Sequence, residues 1–328
     1  MSDLRTSYMG IALKNPIIVG SSPLSARVDK IVGLEAAGAA AVVLKSLFEE
    51  QVRIDAEIFE EDLTRHNESS AEATSMFPRL EHAGTRTHAY WVAEARKAVK
   101  IPLIASINCL SDVQWAEYAK ALEGTGVDAL ELNLYSPSRD LNTTAAQIED
   151  REVKILDEVR KAVKIPIGVK LNPFYTNLAN VVKRFEGAGA NGFVMFNRLF
   201  QPDIDVDQEV KRARYQETGS RDSLLPLRWI ALLSGQVKAG LAASTGISSG
   251  RDMAKVMLAG ARATQVVGVL LREKPAYIGR MLEEFTAWMN LHGYKNIEEF
   301  RGKLARVNPE DAWNFTASQY VEGLIGLG

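Results

Sequence analysis

Cysteine is nearly missing from this chain, Cys109 being the only one. Intrachain disulfides, CxxC redox pairs and a four-cysteine iron–sulfur cluster built by this chain alone are therefore excluded, and a reducing compartment is the default. Net charge is nearly missing too, at a formal -2. The total gives no strong pull toward nucleic acid or an anionic membrane, and neither partner is expected. No run is apolar and charge-free for long enough to span a bilayer, and Met1-Ser2-Asp3-Leu4-Arg5 has no apolar signal core. A cytoplasmic location is the expectation.

What is present is apolar text in a repeating order. With 328 residues, 46% hydrophobic and 24% charged, the chain has material for one large α/β domain or two modest ones. Short buried runs that stop in polar turns read as strands: 17–20, 40–46, 103–108, 130–134, 165–172, 192–198, 240–243 and 263–268. Between them, helical spacing falls at 26–38, 88–100, 112–122, 147–163, 178–187, 226–237, 251–258 and 275–291. Two stretches break the rhythm. Residues 48–86 and 201–223 are charged and aperiodic, too long for ordinary connections, and read as insertions after strands two and six, the first a candidate lid.

Eight strands each followed by helix fit a closed (β/α)8 TIM barrel better than an open sheet, which would leave edges to protect. Residues 1–328 are expected to form a single domain, with a helical extension from about residue 292. Two units share a turn, Ala98-Val99-Lys100-Ile101-Pro102 and Ala162-Val163-Lys164-Ile165-Pro166. Similar barrel units would produce that echo, and so would reuse of a favourable turn.

In such barrels the C-terminal ends of the strands form the reactive rim. Here they supply Ser21, Lys45, Ser106, Asn108, Asn133, Ser136, Lys170, Asn197, Arg198, Ser244, Thr245, Gly246 and Gly268. His66, His82, His88 and His292 all lie elsewhere, and no HxH, HExxH or paired-carboxylate pattern falls on the rim. Metal-assisted hydrolysis and glycosidase chemistry are weak readings, and no metal is expected. The small-residue turns Ser244-Thr245-Gly246 and Gly268 suit a phosphate held on backbone N–H groups. Two interior lysines, Lys45 and Lys170, could face the electron-rich edge of a flavin, where positive charge favours the reduced anion. Blander uses exist for each: a strand-end lysine can snorkel or pair with an acid, and a strand-end asparagine can cap its own turn. Glu131, inside a strand, is expected to be ion-paired within the barrel or to face its helices.

The combination Lys45-Ser46, Glu131-Leu132-Asn133-Leu134-Tyr135-Ser136-Pro137, Gly168-Val169-Lys170-Leu171 and Thr245-Gly246-Ile247 with Gly250 resembles the dihydroorotate dehydrogenase family of FMN-dependent barrels, from about Leu13 to Leu304. The resemblance implies FMN as cofactor, with Ser21, Lys45, Ser46, Ser106, Asn108, Asn133, Lys170, Thr245, Gly246, Gly268 and Val269 around it. It also implies a small anionic cyclic substrate against Lys45, Asn133, Ser138, Asn197 and Arg198, with Ser136 as the catalytic base. There are departures. Ser138 stands where the family has an asparagine, Arg198 where it has a small hydroxyl residue, and Ser75-Met76-Phe77-Pro78 replaces an asparagine- and glycine-bearing substrate loop. The family's double glycine is Thr245-Gly246. The implied activity is oxidation of dihydroorotate to orotate in pyrimidine biosynthesis. The alternatives are a flavin enzyme acting on another cyclic CH–CH or C=C substrate, such as a dihydropyrimidine, and a barrel that binds without turnover. The electron acceptor is left open, and a homodimer is compatible with a barrel of this size.

Overall fold

Most strands of this chain are buried on both faces. Ile17–Val19 and Ala41–Val43 have no exposed residue, and Leu103–Asn108 is covered up to its last position. Continuous apolar text of this kind, rich in Ile, Val and Ala, belongs to a parallel sheet with helices on one side and packed side chains on the other. The computed structural model describes residues 2–48, 83–108, 114–134, 140–198, 203–212 and 218–305.

In chain order the strands are β1 (Thr6–Tyr8), β2 (Ile11–Leu13), β3 (Ile17–Val19), β4 (Ala41–Val43), β5 (Leu47–Phe48), β6 (Leu103–Asn108), β7 (Ala129–Asn133), β8 (Ile167–Lys170), β9 (Gly192–Met195), β10 (Asp203–Asp205), β11 (Val210–Arg212), β12 (Gly240–Ser244) and β13 (Ala263–Val266). The helices are α1 (Val28–Ala36), α2 (Ala83–Ala98), α3 (Gln114–Glu123), α4 (Ala145–Ala162), α5 (Leu178–Gly187), α6 (Leu224–Leu233), α7 (Gly250–Leu258), α8 (Gly268–Glu273) and α9 (Tyr277–Leu291). Parallel pairing runs β4-β3-β13-β12-β9-β8-β7-β6, and β6 returns to β4 through Val42↔Leu103 and Val43↔Ile104, which closes an eight-stranded barrel. β5 resumes the lane of β4 after a short break and pairs with the end of β6.

The floor of the barrel is a hairpin that the sequence reading did not identify. β1 and β2 pair antiparallel, and Tyr8 and Met9 join Ile18, Ala41, Val43, Ile104, Ala129, Val194, Ala242 and Ala263 in one interior cluster. Three strands begin with or near glycine because these two side chains fill the space. A Cβ at Gly240 would meet Tyr8 Cδ2 at 2.9 Å, and one at Gly168 would meet Met9 Sδ at 2.8 Å.

The echoed turns have a common partner. Glu123 Oε1, at the end of α3, accepts the N–H groups of Lys164 and Ile165 at 2.6 and 3.0 Å. Glu35 does the same for Lys100 and Ile101, and Glu186 for Lys238 and Ala239. One carboxylate thus satisfies two N–H donors that enter a strand, and the pattern repeats on every second unit at the N-terminal face.

Helix boundaries follow local chemistry. α4 begins at Thr144, whose hydroxyl accepts from Gln147 N while Gln147 Oε1 accepts from Thr144 N, the reciprocal box its Thr-x-x-Gln text encodes. The stretch expected to be aperiodic at 201–223 contains the β10–β11 hairpin and a 3₁₀ turn at Ser220–Ser223. The expected lid lies mostly in residues 49–82, outside the described residues. Within the expected extension, residues up to 305 fold back: Gly302 N and Leu304 N donate to Met257 and Leu258 carbonyls, and Asp3 bridges to Asn296. Among the described residues, no helix is long and apolar enough to cross a membrane.

Candidate functional site

Period-two alternation decides which side chains the rim presents. Ile104 and Ala129 belong to the interior cluster, so Ser106, Glu131 and Asn133, two and four positions on, point the same way. Register then sets the levels. Ser106 pairs with Glu131, Glu131 with Gly168, and Asn133 with Lys170. The rim side chains form three bonded groups.

The first is a hydroxyl chain. Ser21 Oγ lies 3.0 Å from Ser46 Oγ and accepts from Ser46 N at 2.9 Å, and Ser46 Oγ lies 2.8 Å from Ser106 Oγ. It ties the ends of β3, β4 and β6 together, and Ser106 is buried. In the second group Asn197 Nδ2 donates to Asn133 Oδ1 at 2.9 Å, joining the ends of β7 and β9. The third lies deeper. Lys170 Nζ donates to Gln265 Oε1 at 3.1 Å and stands 3.5 Å from Glu131 Oε1, while Gln265 Nε2 donates to Glu131 Oε2. Glu131 and Gln265 are both 2% exposed, so this ion pair is an interior one.

Of the two lysines expected inside, only Lys170 is interior. Lys45 lies past the end of β4, where the strand breaks, and its side chain is exposed at the mouth. The reason is the break itself: the backbone leaves the barrel lane between Val43 and Leu47. Glu131 is ion-paired inside the barrel, the first of its two expected uses. His88, read as remote from the rim, has Nε2 3.4 Å from the Lys45 carbonyl oxygen, and burial together with the neighbouring Lys45 charge lowers its pKa.

The small-residue turn after β12 has the geometry its composition suggests. Thr245 and Gly246 have φ of 80° and 76°, and Thr245 Oγ1 donates to the Phe196 carbonyl at 3.2 Å. Left-handed backbone is a conformation that glycine adopts at least cost, and here a threonine holds it. The turn is anchored by Asp252, whose Oδ2 accepts from Ser248 N, Ser248 Oγ, Ser249 Oγ and Ser220 Oγ at 3.2, 3.0, 2.9 and 2.9 Å. Burial would raise the pKa of this carboxyl, but these hydrogen bonds outweigh it and hold the value low. Gly268 opens α8, and Val269 is buried against the core. Asn108 ends β6 opposite Phe48, and Arg198 is an exposed residue just past β9. Ser136 and Ser138 lie outside the described residues.

After Lys170 the chain is pinned by Asn172, whose Oδ1 accepts from Phe174 N, and by Tyr175, whose hydroxyl donates to Glu152 Oε2 at 2.8 Å. Burial pushes the Glu152 carboxyl up to about 7, with Glu149 adding to the shift. Gln265, Asp252 and Tyr8 were not among the residues the sequence singled out. A glutamine inside the apolar run Ala263-Thr264-Gln265-Val266 was the available signal for the first.

Among the described residues no group of three or more His, Cys, Asp or Glu could hold a metal ion. The family model described as dihydroorotate dehydrogenase matches residues 67–289. The catalytic subunit of dihydroorotate dehydrogenase B (NAD(+)) from Thermoplasma volcanium is 26% identical over 313 residues, covering 92% of this chain and 98% of that protein. Its counterpart from Methanothermobacter thermautotrophicus is 24% identical over 91% of this chain and 97% of its own length. Dihydroorotate dehydrogenase A (fumarate) from Lactobacillus helveticus is 28% identical over 62% and 68%.

A parallel barrel with this amide- and ammonium-lined mouth, carrying that similarity, is an FMN-dependent oxidoreductase acting on CH–CH donors. The chain belongs to the dihydroorotate dehydrogenase family. The donor set suits FMN: hydroxyls, amides and an ammonium that could meet the polar edge of a flavin, and a left-handed turn whose backbone N–H groups suit a phosphate.

Proposed function

We propose that this protein oxidises dihydroorotate to orotate in pyrimidine biosynthesis, in the cytoplasm, as a single FMN-binding unit. The observation that carries this reading is the hydrogen bond between Asn197 and Asn133, whose register partner is Lys170, so that two amides and a cation share one level of the mouth. In this arrangement Lys170, Ser21, Ser46, Ser106 and Asn108 bind the flavin, while the turns at Thr245-Gly246 and Gly268-Val269 hold its phosphate. Asn133 and Asn197 contact the substrate ring, and the hydrogen bond between them fixes which amide atoms each offers to a cyclic imide. Lys45 and Arg198 face the substrate carboxylate, Arg198 with a bidentate fork. By the family resemblance Ser138 contributes to substrate binding and Ser136 removes a proton from substrate carbon. FMN, when bound, supplies the hydride acceptor.

A second reading is supported by the altered cage. Ser138 and Arg198 replace family residues that surround orotate, so a different cyclic CH–CH or C=C substrate, such as a dihydropyrimidine, suits the same machinery. The experiment that separates them is anaerobic addition of dihydroorotate to the purified yellow protein. Bleaching of the flavin absorbance supports the first reading. A flavin that stays oxidised with dihydroorotate, and is reduced by a dihydropyrimidine, supports the second.

A further inference from the structure

Below the rim, Glu131 forms its ion pair from a buried position, with Lys170 partly exposed toward the mouth. Tyr8 and Met9 close the floor, and both Tyr8 and Glu131 are 2% exposed. The Tyr8 hydroxyl lies 3.6 Å from where a Gly168 Cβ would stand, and Gly168 is the register partner of Glu131. Neither that hydroxyl nor Glu131 Oε1 has a hydrogen-bond partner among the described residues. Glu131 Oε1 is the atom nearest Lys170 Nζ, at 3.5 Å. Gln265 locks the pair by accepting from the ammonium and donating to the other carboxylate oxygen. The amide therefore has one useful orientation, and Lys170 is held between two acceptors.

A pair of opposite charges contributes much less net field than a lone ammonium, and the difference grows where the surroundings are mostly protein rather than water. We propose that Glu131 is a positioning residue that acts through Lys170 and Gln265 to set the redox potential of the bound flavin. Lys170 favours the anionic reduced flavin, and Glu131 offsets part of that preference while fixing where the ammonium sits. This rests on the reading that Lys170 faces FMN.

The test is the midpoint potential of bound FMN, measured on holoenzyme by anaerobic titration against a reference dye. In Glu131→Gln the side chain keeps its size and its bond to Gln265 but loses its charge. The preference for reduced over oxidised FMN should rise at least tenfold, which for a two-electron couple is about 30 mV. Glu131→Asp keeps a carboxylate but draws it back from Lys170, and should give a smaller rise in the same direction. It carries the test alone if the glutamine variant does not fold. Lys170→Met should lower the potential.

A potential unmoved in folded Glu131 variants, with Lys170→Met still lowering it, overturns the inference and leaves the flavin reading intact. A wild-type protein that binds no FMN removes the flavin reading and the inference with it, whereas a Lys170→Met holoenzyme with unchanged potential shows that Lys170 does not face FMN and overturns the inference alone. A purely structural ion pair would change folding and flavin content without this ordered set of potentials.

Discussion

Gly192 at the foot of β9 and Tyr8 at the end of β1 compete for one space: a Cβ added at Gly192 would stand 2.8 Å from Tyr8 Cζ and 2.6 Å from Met9 Cγ. Overpacking of a filled core costs about 1–3 kcal/mol. Gly192→Ala should therefore lower the urea midpoint by a corresponding amount with an unchanged slope. FMN content of the folded protein should stay the same, since the site is at the other end of the strands. A variant as stable as the wild type would mean that Tyr8 does not occupy the floor in solution.

The carboxylate at the end of α3 should matter more than a surface glutamate does. Removing Glu123 leaves the N–H groups of Lys164 and Ile165 without their common acceptor. A lost hydrogen bond of this charged kind is worth about 1.5–3 kcal/mol where it is shielded, and partial exposure here puts the expected loss for Glu123→Ala near the lower end. Chemical denaturation measures it, and a loss below about 0.5 kcal/mol would show that the turn is held by packing alone.

Stability should depend on pH through Glu152. Its folded carboxyl is raised to about 7 from an ordinary 4.5, first by burial and then by Glu149, against the opposing hydrogen bond from Tyr175. The folded chain therefore binds more protons than the unfolded chain between those values, and stability falls as pH rises through that window. The contribution is full below about 4.5 and lost above about 7. Glu152→Gln should remove the decline, and near pH 8 the variant should gain about 1–3 kcal/mol relative to its standing at pH 4.5. Thermal unfolding of both proteins across pH 4 to 9 reads this directly, and parallel curves would refute it.

The Thr245-Gly246 turn gives a contrast between neighbours. A Cβ at Gly246 would meet the Ser223 backbone nitrogen at 2.4 Å, so Gly246→Ala must displace the 219–223 segment. FMN affinity should fall at least tenfold. Thr245→Gly loses the hydroxyl bond to Phe196 but relieves left-handed backbone strain, two effects of about 1 kcal/mol each and opposite sign. Its FMN affinity should stay within about threefold of wild type, given that balance. Fluorescence quenching of free FMN titrated with apoprotein distinguishes the two.

Much of the barrel could be read from the chain because its signal is local. Buried runs such as Leu103–Asn108 announce strands by themselves, and Thr144 with Gln147 announces a helix start. The rim followed from the strand ends, which is why Asn133, Lys170 and Asn197 could be named together. What stayed hidden depends on distant partners. Residues 6–13 look unremarkable until the glycines of β8, β9 and β12 receive them. Gln265 gains meaning only beside Glu131, which is 134 positions away in the chain. The exposure of Lys45 also needed coordinates, since nothing in Ala40-Ala41-Val42-Val43-Leu44-Lys45-Ser46 tells where the backbone leaves the barrel wall.

The plugged floor also bears on the order of assembly. Residues 6–13 leave the ribosome well before Gly168, Gly192 and Gly240 are translated. Tyr8 and Met9 therefore wait without a socket while most of the polypeptide is made. A nascent fragment stopping short of β12 should expose greasy surface that chaperones recognise, and its capture should end once β13 has emerged and the wall can close around the hairpin.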